Sequence, residues 1–244
     1  MTEQSALKLL DAYTLRARFT PALLIVAPLW LAIAAWVAPA LGDPSLPVSG
    51  VIGFAAVVLL AELGRDRGKA SEATLFECWG GMPSVLLMSH SRSALSGDAI
   101  ARRHSKLRAL FPNFSLPNSA EDERGNWPAA DSIYRSISEA LRELTRDKAR
   151  FPLVFEENTS YGFRRNLWAM RSLGVATSGF ALVTSLANIL LAVHRDTPLQ
   201  PISILSAAIC AALLVFWLWQ VSVEWVRVVA FAYAERLFAA VEVL

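Results

Sequence analysis

The sequence predicts an all-α, polytopic membrane protein in which two transmembrane helical hairpins, four spans in all, flank a cytosolic helical insert. Three observations predict it. The 244 residues are 55% hydrophobic and only 18% charged, with mean hydropathy +0.41, whereas a soluble domain is usually about one quarter charged. The missing charge is concentrated in a few uncharged runs of membrane length. Between these runs lies a charged middle third whose apolar residues recur at helical spacing, with no convincing strand alternation.

The same composition excludes several functions. A net charge of +2 gives no support for nucleic-acid binding. Cys78 and Cys210 lie in different contexts, which argues against a disulfide framework, and no Cys or His pair has ligand spacing, so neither a metal nor a cofactor is expected. The first apolar run starts near residue 19, is long, and is followed by a second, so no cleavable signal peptide is expected.

In chain order, Ala6, Leu9, Leu10 and Tyr13 follow i, i+3, i+4, i+7 and predict an interfacial helix before the first span. Residues 21–41 hold no charge and are long enough for one hydrocarbon thickness. Gly42-Asp43-Pro44-Ser45-Leu46-Pro47 is a turn. Residues 46–63 form a short second span that reaches across only if Leu46 and Leu63 contribute or the bilayer thins. Residues 1–63 are therefore the first hairpin with its leading helix.

Residues 64–172 form the insert, with 17 Lys/Arg against 13 Asp/Glu. The second span is expected to continue as a helix toward Phe76 and to stop at Trp79-Gly80-Gly81-Met82-Pro83. A helix is expected over 98–111, capped near Ser96 or Asp98, with Ile100, Leu107, Leu110 and Phe111 inward and Arg102, Arg103 and Lys106 outward. Residues 111–130, with three prolines and Glu121-Asp122-Glu123, read as an exposed loop. Ile133, Ile137, Leu141 and Leu144 predict a helix over 131–148, with Arg135/Glu139 and Glu143/Arg146 spaced to pair on its outside. Leu153-Val154-Phe155 fits a short extended piece, and Asn158 or Thr159 is placed to cap a helix beginning near Ser160.

Residues 173–244 are the second hairpin, with spans over 173–193 and 202–221, followed by a C-terminal helix. Gly174, Ser178, Ala181 and Ser185 make a small-residue stripe that permits close helix approach, in the same chain or in a homo-oligomer. Trp217, Trp219 and Trp225 suit headgroup depth. The tail to Leu244 is too apolar to stand in water and must pack on the insert, another subunit or the membrane surface. The short loops 42–47 and 194–201 hold only Arg195 among 23 Lys/Arg, so the positive-inside rule places both termini and the insert on the cytosolic side.

The densest polar cluster precedes the third span: Glu156, Glu157, Asn158, Tyr161, Arg164, Arg165 and Asn166. Arg164 and Arg165 suit a cytosolic anionic ligand such as a phosphate. The plainer reading is an internal ion-pair network anchoring the insert, with arginines snorkelling at the interface. Trp79, Gly80 and Gly81 form a second candidate, since a Gly-Gly turn can aim N–H groups at an anion, although a helix stop explains it equally. His104 among Arg102, Arg103 and Lys106 suits an anionic lipid or nucleic acid, and a solvated face near the cytosolic leaflet is the commoner explanation.

The run Thr145-Arg146-Asp147-Lys148 and Phe151 to Trp168, with Trp79-Gly80-Gly81 upstream, resembles a family of uncharacterised bacterial multi-spanning membrane proteins. The resemblance implies that these positions form one unit and carries no activity or catalytic residues. The expected function is thus a non-enzymatic membrane protein whose insert senses a ligand or partner and couples it to an oligomeric bundle, as a regulatory or effector component in stress or phage defence. The alternatives are a channel or transporter subunit, and a membrane enzyme acting on lipid or peptide through Glu156, Glu157 and His90.

Overall fold

A computed structural model describes residues 12–37 and 46–244. The expected interfacial helix of residues 1–18 and the turn at 42–47 lie largely outside them. The described chain is helical, with no strand among the described residues. Its helices are α1 (Thr20–Val37), α2 (Leu46–Ala70), α3 (Glu72–Trp79), α4 (Pro83–Met88), α5 (Gly97–Leu110), α6 (Ala120–Gly125), α7 (Trp127–Leu144), α8 (Pro152–Ala169), α9 (Arg171–His194), α10 (Pro201–Val215) and α11 (Val223–Ala240). Two π-helical turns, Leu15–Phe19 and Phe216–Gln220, extend α1 backward and α10 forward. Two compact units result: residues 1–71 with 162–225, and residues 72–161 with 226–244.

In the first unit, three described helices are long and apolar enough to cross a membrane: Leu15–Val37, Arg171–His194 and Pro201–Gln220. Their outer surfaces carry exposed Ile33, Trp36, Phe180, Val183, Leu190, Ile204 and Leu205, a belt that water would not tolerate. The expected fourth span falls in α2, whose last third holds Glu62, Arg65, Asp66, Arg67 and Lys69, so α2 is not among the three. Its apolar part packs on α1 through Val57 and Ala61 against Ala22 and Val26. Gly53 makes that approach possible, because a Cβ there would sit 1.7 Å from the Trp30 ring.

The small-residue stripe is spent inside the chain. Gly174, Ser178, Ala181 and Ser185 are all buried on α9. Ala181 packs with Ala32 of α1 and Cys210 of α10. Ser185 and Ser206 share a hydroxyl hydrogen bond of 2.8 Å. Asn188, the strongly polar side chain of this span, accepts from the Ser203 hydroxyl at 2.7 Å. Apolar helices gain little by burying methyls against each other in lipid, so close backbone approach and such bonds hold them together.

In the second unit, α7 buries Ala130, Tyr134, Ile137 and Leu141. Of the expected stripe, Ile137 and Leu141 are in the core, Ile133 is half-buried at its edge and Leu144 is exposed. These residues meet Val85, Leu87 and Met88 of α4, Leu107 of α5, and Ala234 and Phe238 of α11. The apolar tail is thereby absorbed by the insert, the first of the three destinations its composition allowed. Ser96 caps α5 by accepting from the Ala99 N–H, as its position before the helix required. The helix expected over 131–148 instead starts at Trp127, because Asn126 accepts from Ala129 N–H and Pro128 suits the first turn.

Two local expectations are corrected. Residues 153–155 are not extended: α8 starts at Pro152, whose missing N–H costs nothing in a first turn, so Asn158 and Thr159 lie inside the helix and cap nothing. Residues 111–130 are not wholly an exposed loop, because Ser119 caps α6 by accepting from Asp122 N–H and Glu123 is fully buried.

Candidate functional site

The residues singled out from the sequence fall into separate settings. The chain passes between its two units within α8, between Tyr161 and Gly162, and within α11, between Trp225 and Val226. The cluster 156–166 is divided accordingly: Glu156, Glu157, Asn158 and Tyr161 belong to one unit, and Arg164, Arg165 and Asn166 to the other.

In the first unit Asn166 is the centre. It is buried, its amide donates to Ala17 O at 2.8 Å, and its Oδ1 accepts from Arg165 Nε and Nη2 at 3.4 and 3.2 Å. Gly68 of α2 lies against it, since a Cβ there would come within 2.0 Å of that same Oδ1. Gly162 similarly admits the Tyr13 ring and Ala17. Arg164 donates from Nη1 to Trp225 O at 2.8 Å and lies 4.7 Å over the Trp225 ring. These side chains tie the segment to the backbone carbonyls of Ala17 and Trp225 and to the Asn166 amide oxygen. A carbonyl next to lipid gains more from a charged donor than water would give it.

Glu156 and Glu157 do not join this group, nor do they bond to His90. The His90 imidazole instead lies 3.2 Å from Pro117 O by its Nε2, with its ring centroid 4.2 Å from that of His104. The geometry an enzyme acting through Glu156, Glu157 and His90 requires is thus absent among the described residues.

Trp79-Gly80-Gly81 is a helix stop. Gly80 has φ +80° and Gly81 φ +150°. Their N–H groups donate to Glu77 O at 3.1 Å and Phe76 O at 2.8 Å, closing α3, so neither is left to meet an anion.

In the second unit a cavity of about 230 Å³ opens among Glu72 and Phe76 of α3, Ser84 of α4, Arg135, Glu139 and Arg142 of α7, Tyr161 of α8, and Tyr233 of α11. The Tyr161 and Tyr233 rings are parallel within 10°, with centroids 6.3 Å apart. Tyr161 donates its hydroxyl to Glu72 Oε1 at 3.1 Å. Arg135 pairs at 2.7 Å with Asp131, one turn before it, instead of with the expected Glu139 one turn after it, while Arg142 lies 3.9 Å from Glu139. The pair expected between Glu143 and Arg146 forms at 3.3 Å. Aromatic walls with a few convergent charged groups are the usual make-up of a small-molecule site.

Sequence reasoning missed a third group altogether. Glu123 accepts from Ser89 Oγ at 2.5 Å, Ser91 Oγ at 2.6 Å, His90 N at 2.6 Å and Tyr134 Oη at 3.1 Å. Burial alone would push this carboxyl up, but the donors from Ser89, Ser91, His90 and Tyr134 outweigh it and hold it below the ordinary carboxylate value. Tyr134 is driven upward by burial and by the Glu123 charge. His104, expected on a wet basic face, is buried with Nε2 at 2.7 Å from Met88 O, and burial holds it below the ordinary histidine value. The only available signal was its place four residues after Ile100 and three before Leu107, on the apolar side of α5.

Comparison of the chain with protein-family models, with curated proteins and with solved structures gives no match.

Proposed function

We propose that the protein is a multi-pass component of the bacterial inner membrane whose 72–161 and 226–244 unit faces the cytosol, binds a small polar ligand, and relays occupancy to an oligomeric bundle. The observation that carries this reading is the position of the cavity tyrosines. Tyr161 and Tyr233 stand on α8 and α11, the two helices within which the chain passes into the span-bearing unit. One residue beyond Tyr161, Gly162 begins the segment held by Ala17, Arg164 and Asn166. A ligand that orders Tyr161 or Tyr233 biases the same helices whose next turns carry the Arg164–Trp225 contact. The guanidinium groups of Arg135 and Arg142 favour a ligand with a carboxylate or phosphate. Cytosolic orientation is supported by the near absence of Lys/Arg in the two short loops. The exposed belts of α1, α9 and α10 support lipid contact, and on this reading α2 completes the first hairpin as a fourth span.

Thermal melting of the detergent-solubilised full chain with nucleotides, amino acids and dicarboxylates tests it. At least one class should raise the melting temperature of wild-type protein and not that of Arg142→Gln, whose side chain is half exposed. No shift with any class, or an equal shift in the variant, contradicts the proposal.

A further inference from the structure

A second polar recess lies in the first unit, at the foot of α9. It is an open groove of about 640 Å³ that includes Arg67 from the last turn of α2, Ser71 just after it, Trp168 from the end of α8, and Arg171 and Ser172 from the start of α9. No acidic residue lines it. Arg171 is fixed by the π-helical turn, donating from Nε to Trp217 O at 3.0 Å and from Nη2 to Leu218 O at 2.8 Å. Arg67 is exposed and forms no ion pair among the described residues, where Glu62 pairs with Arg18 and Arg65, and Asp66 with Arg65.

The groove stands where the lipid belt begins. Arg171 opens a helix of membrane-crossing length and hydropathy. On α9, Ser172, Ala176 and Phe180 follow at i, i+4 and i+8, all exposed. On α2, Arg67, Leu63 and Leu59 follow the same spacing in the other direction, with Leu63 and Leu59 also exposed. A positively charged recess thus has an apolar lane leading from it on each of two helices. A free phosphate would use the recess alone; a two-chain lipid uses the recess and both lanes.

We infer that this groove binds the phosphate headgroup of an anionic glycerophospholipid, with Arg67 and the Arg171 Nη1 as cationic donors, Ser71 and Ser172 as hydroxyl donors, and Trp168 at headgroup depth. The inference rests on α1, α9 and α10 crossing a bilayer, and not on the cavity of the other unit.

Native mass spectrometry of the detergent-solubilised full chain tests it, with phosphatidylglycerol, phosphatidylcholine or inorganic phosphate added. Phosphatidylglycerol should bind in preference to phosphatidylcholine, and inorganic phosphate should not displace it. Arg67→Gln should weaken phosphatidylglycerol about fivefold, the effect of one basic residue at a membrane surface. Lys69→Gln removes an equal, exposed charge outside the groove and should leave binding unchanged. Equal binding by wild type and Arg67→Gln overturns the site. Equal losses in both variants assign the effect to general surface charge and also overturn it. Displacement by inorganic phosphate overturns the lipid and leaves a soluble anion. A protein that stays dispersed in buffer without detergent removes the bilayer premise instead, a failure visible before any lipid is added.

Discussion

Glu123 shows how a single carboxylate organises a stretch of chain far from it in sequence. Four donors from residues 89–91 and Tyr134 converge on it, so the loop after α4 is fixed to α6 and α7. Glu123→Ala leaves these buried donors unanswered and should cost about 3–5 kcal/mol, read from chemical denaturation of the full chain. Its charge also sets a pH dependence. Because the folded carboxyl titrates below its ordinary 4.5, its stabilisation is complete above that value and is lost as pH falls through the folded value. His104, facing His90, Tyr134 and Arg108, behaves in the same direction at higher pH. Its folded value lies below the ordinary 6.5, so the unfolded chain takes up the proton first and stability declines as pH drops below 6.5. Melting temperature should therefore fall in two stages on acidification. Glu123→Gln should flatten the lower stage and His104→Gln the upper. Slopes unchanged in both variants would contradict these roles.

At the scale of helices, glycine positions separate contact from propensity. A Cβ on Gly174 would fall within 2.2 Å of the buried Trp217 ring, whereas one on Gly179 meets nothing within 4 Å, although both lie on α9. Gly174→Ala should destabilise by about 1–3 kcal/mol through overpacking, while Gly179→Ala should be neutral or stabilising by up to about 1 kcal/mol through helix propensity. Denaturation of the two variants in the same detergent checks the contrast. Gly68→Ala should resemble Gly174→Ala, because it drives a methyl into Asn166. Helices with a clear apolar period and a capping residue, such as α5 and α7, were legible in the sequence. The start of α8 was not, because Pro152 followed by Leu153-Val154-Phe155 fits an extended segment as well as a first turn. Glu123 was illegible for a different reason. Its neighbours Glu121 and Asp122 are acidic and three of its four partners, Ser89, His90 and Ser91, lie over 30 residues away, so nothing local marks it as buried.

For the whole molecule, uncharged length made legible three helices long and apolar enough to cross a membrane, and the apolar tail was legible as a segment that needs cover. What sequence could not show was how the cluster 156–166 divides. A continuous helix carries Tyr161 to a cavity and Arg164 and Asn166 to backbone carbonyls one turn later, and no residue pattern marks that boundary. The central claim is that apolar helices lie in lipid while the insert faces the cell interior. Cys78 is exposed on α3 and Cys210 is buried among the spans, which gives a built-in reporter. Treatment with a membrane-impermeant maleimide should leave Cys78 unmodified in intact spheroplasts and modify it in inverted membrane vesicles. Modification in the spheroplasts, or recovery of the protein in the soluble fraction, would contradict the account.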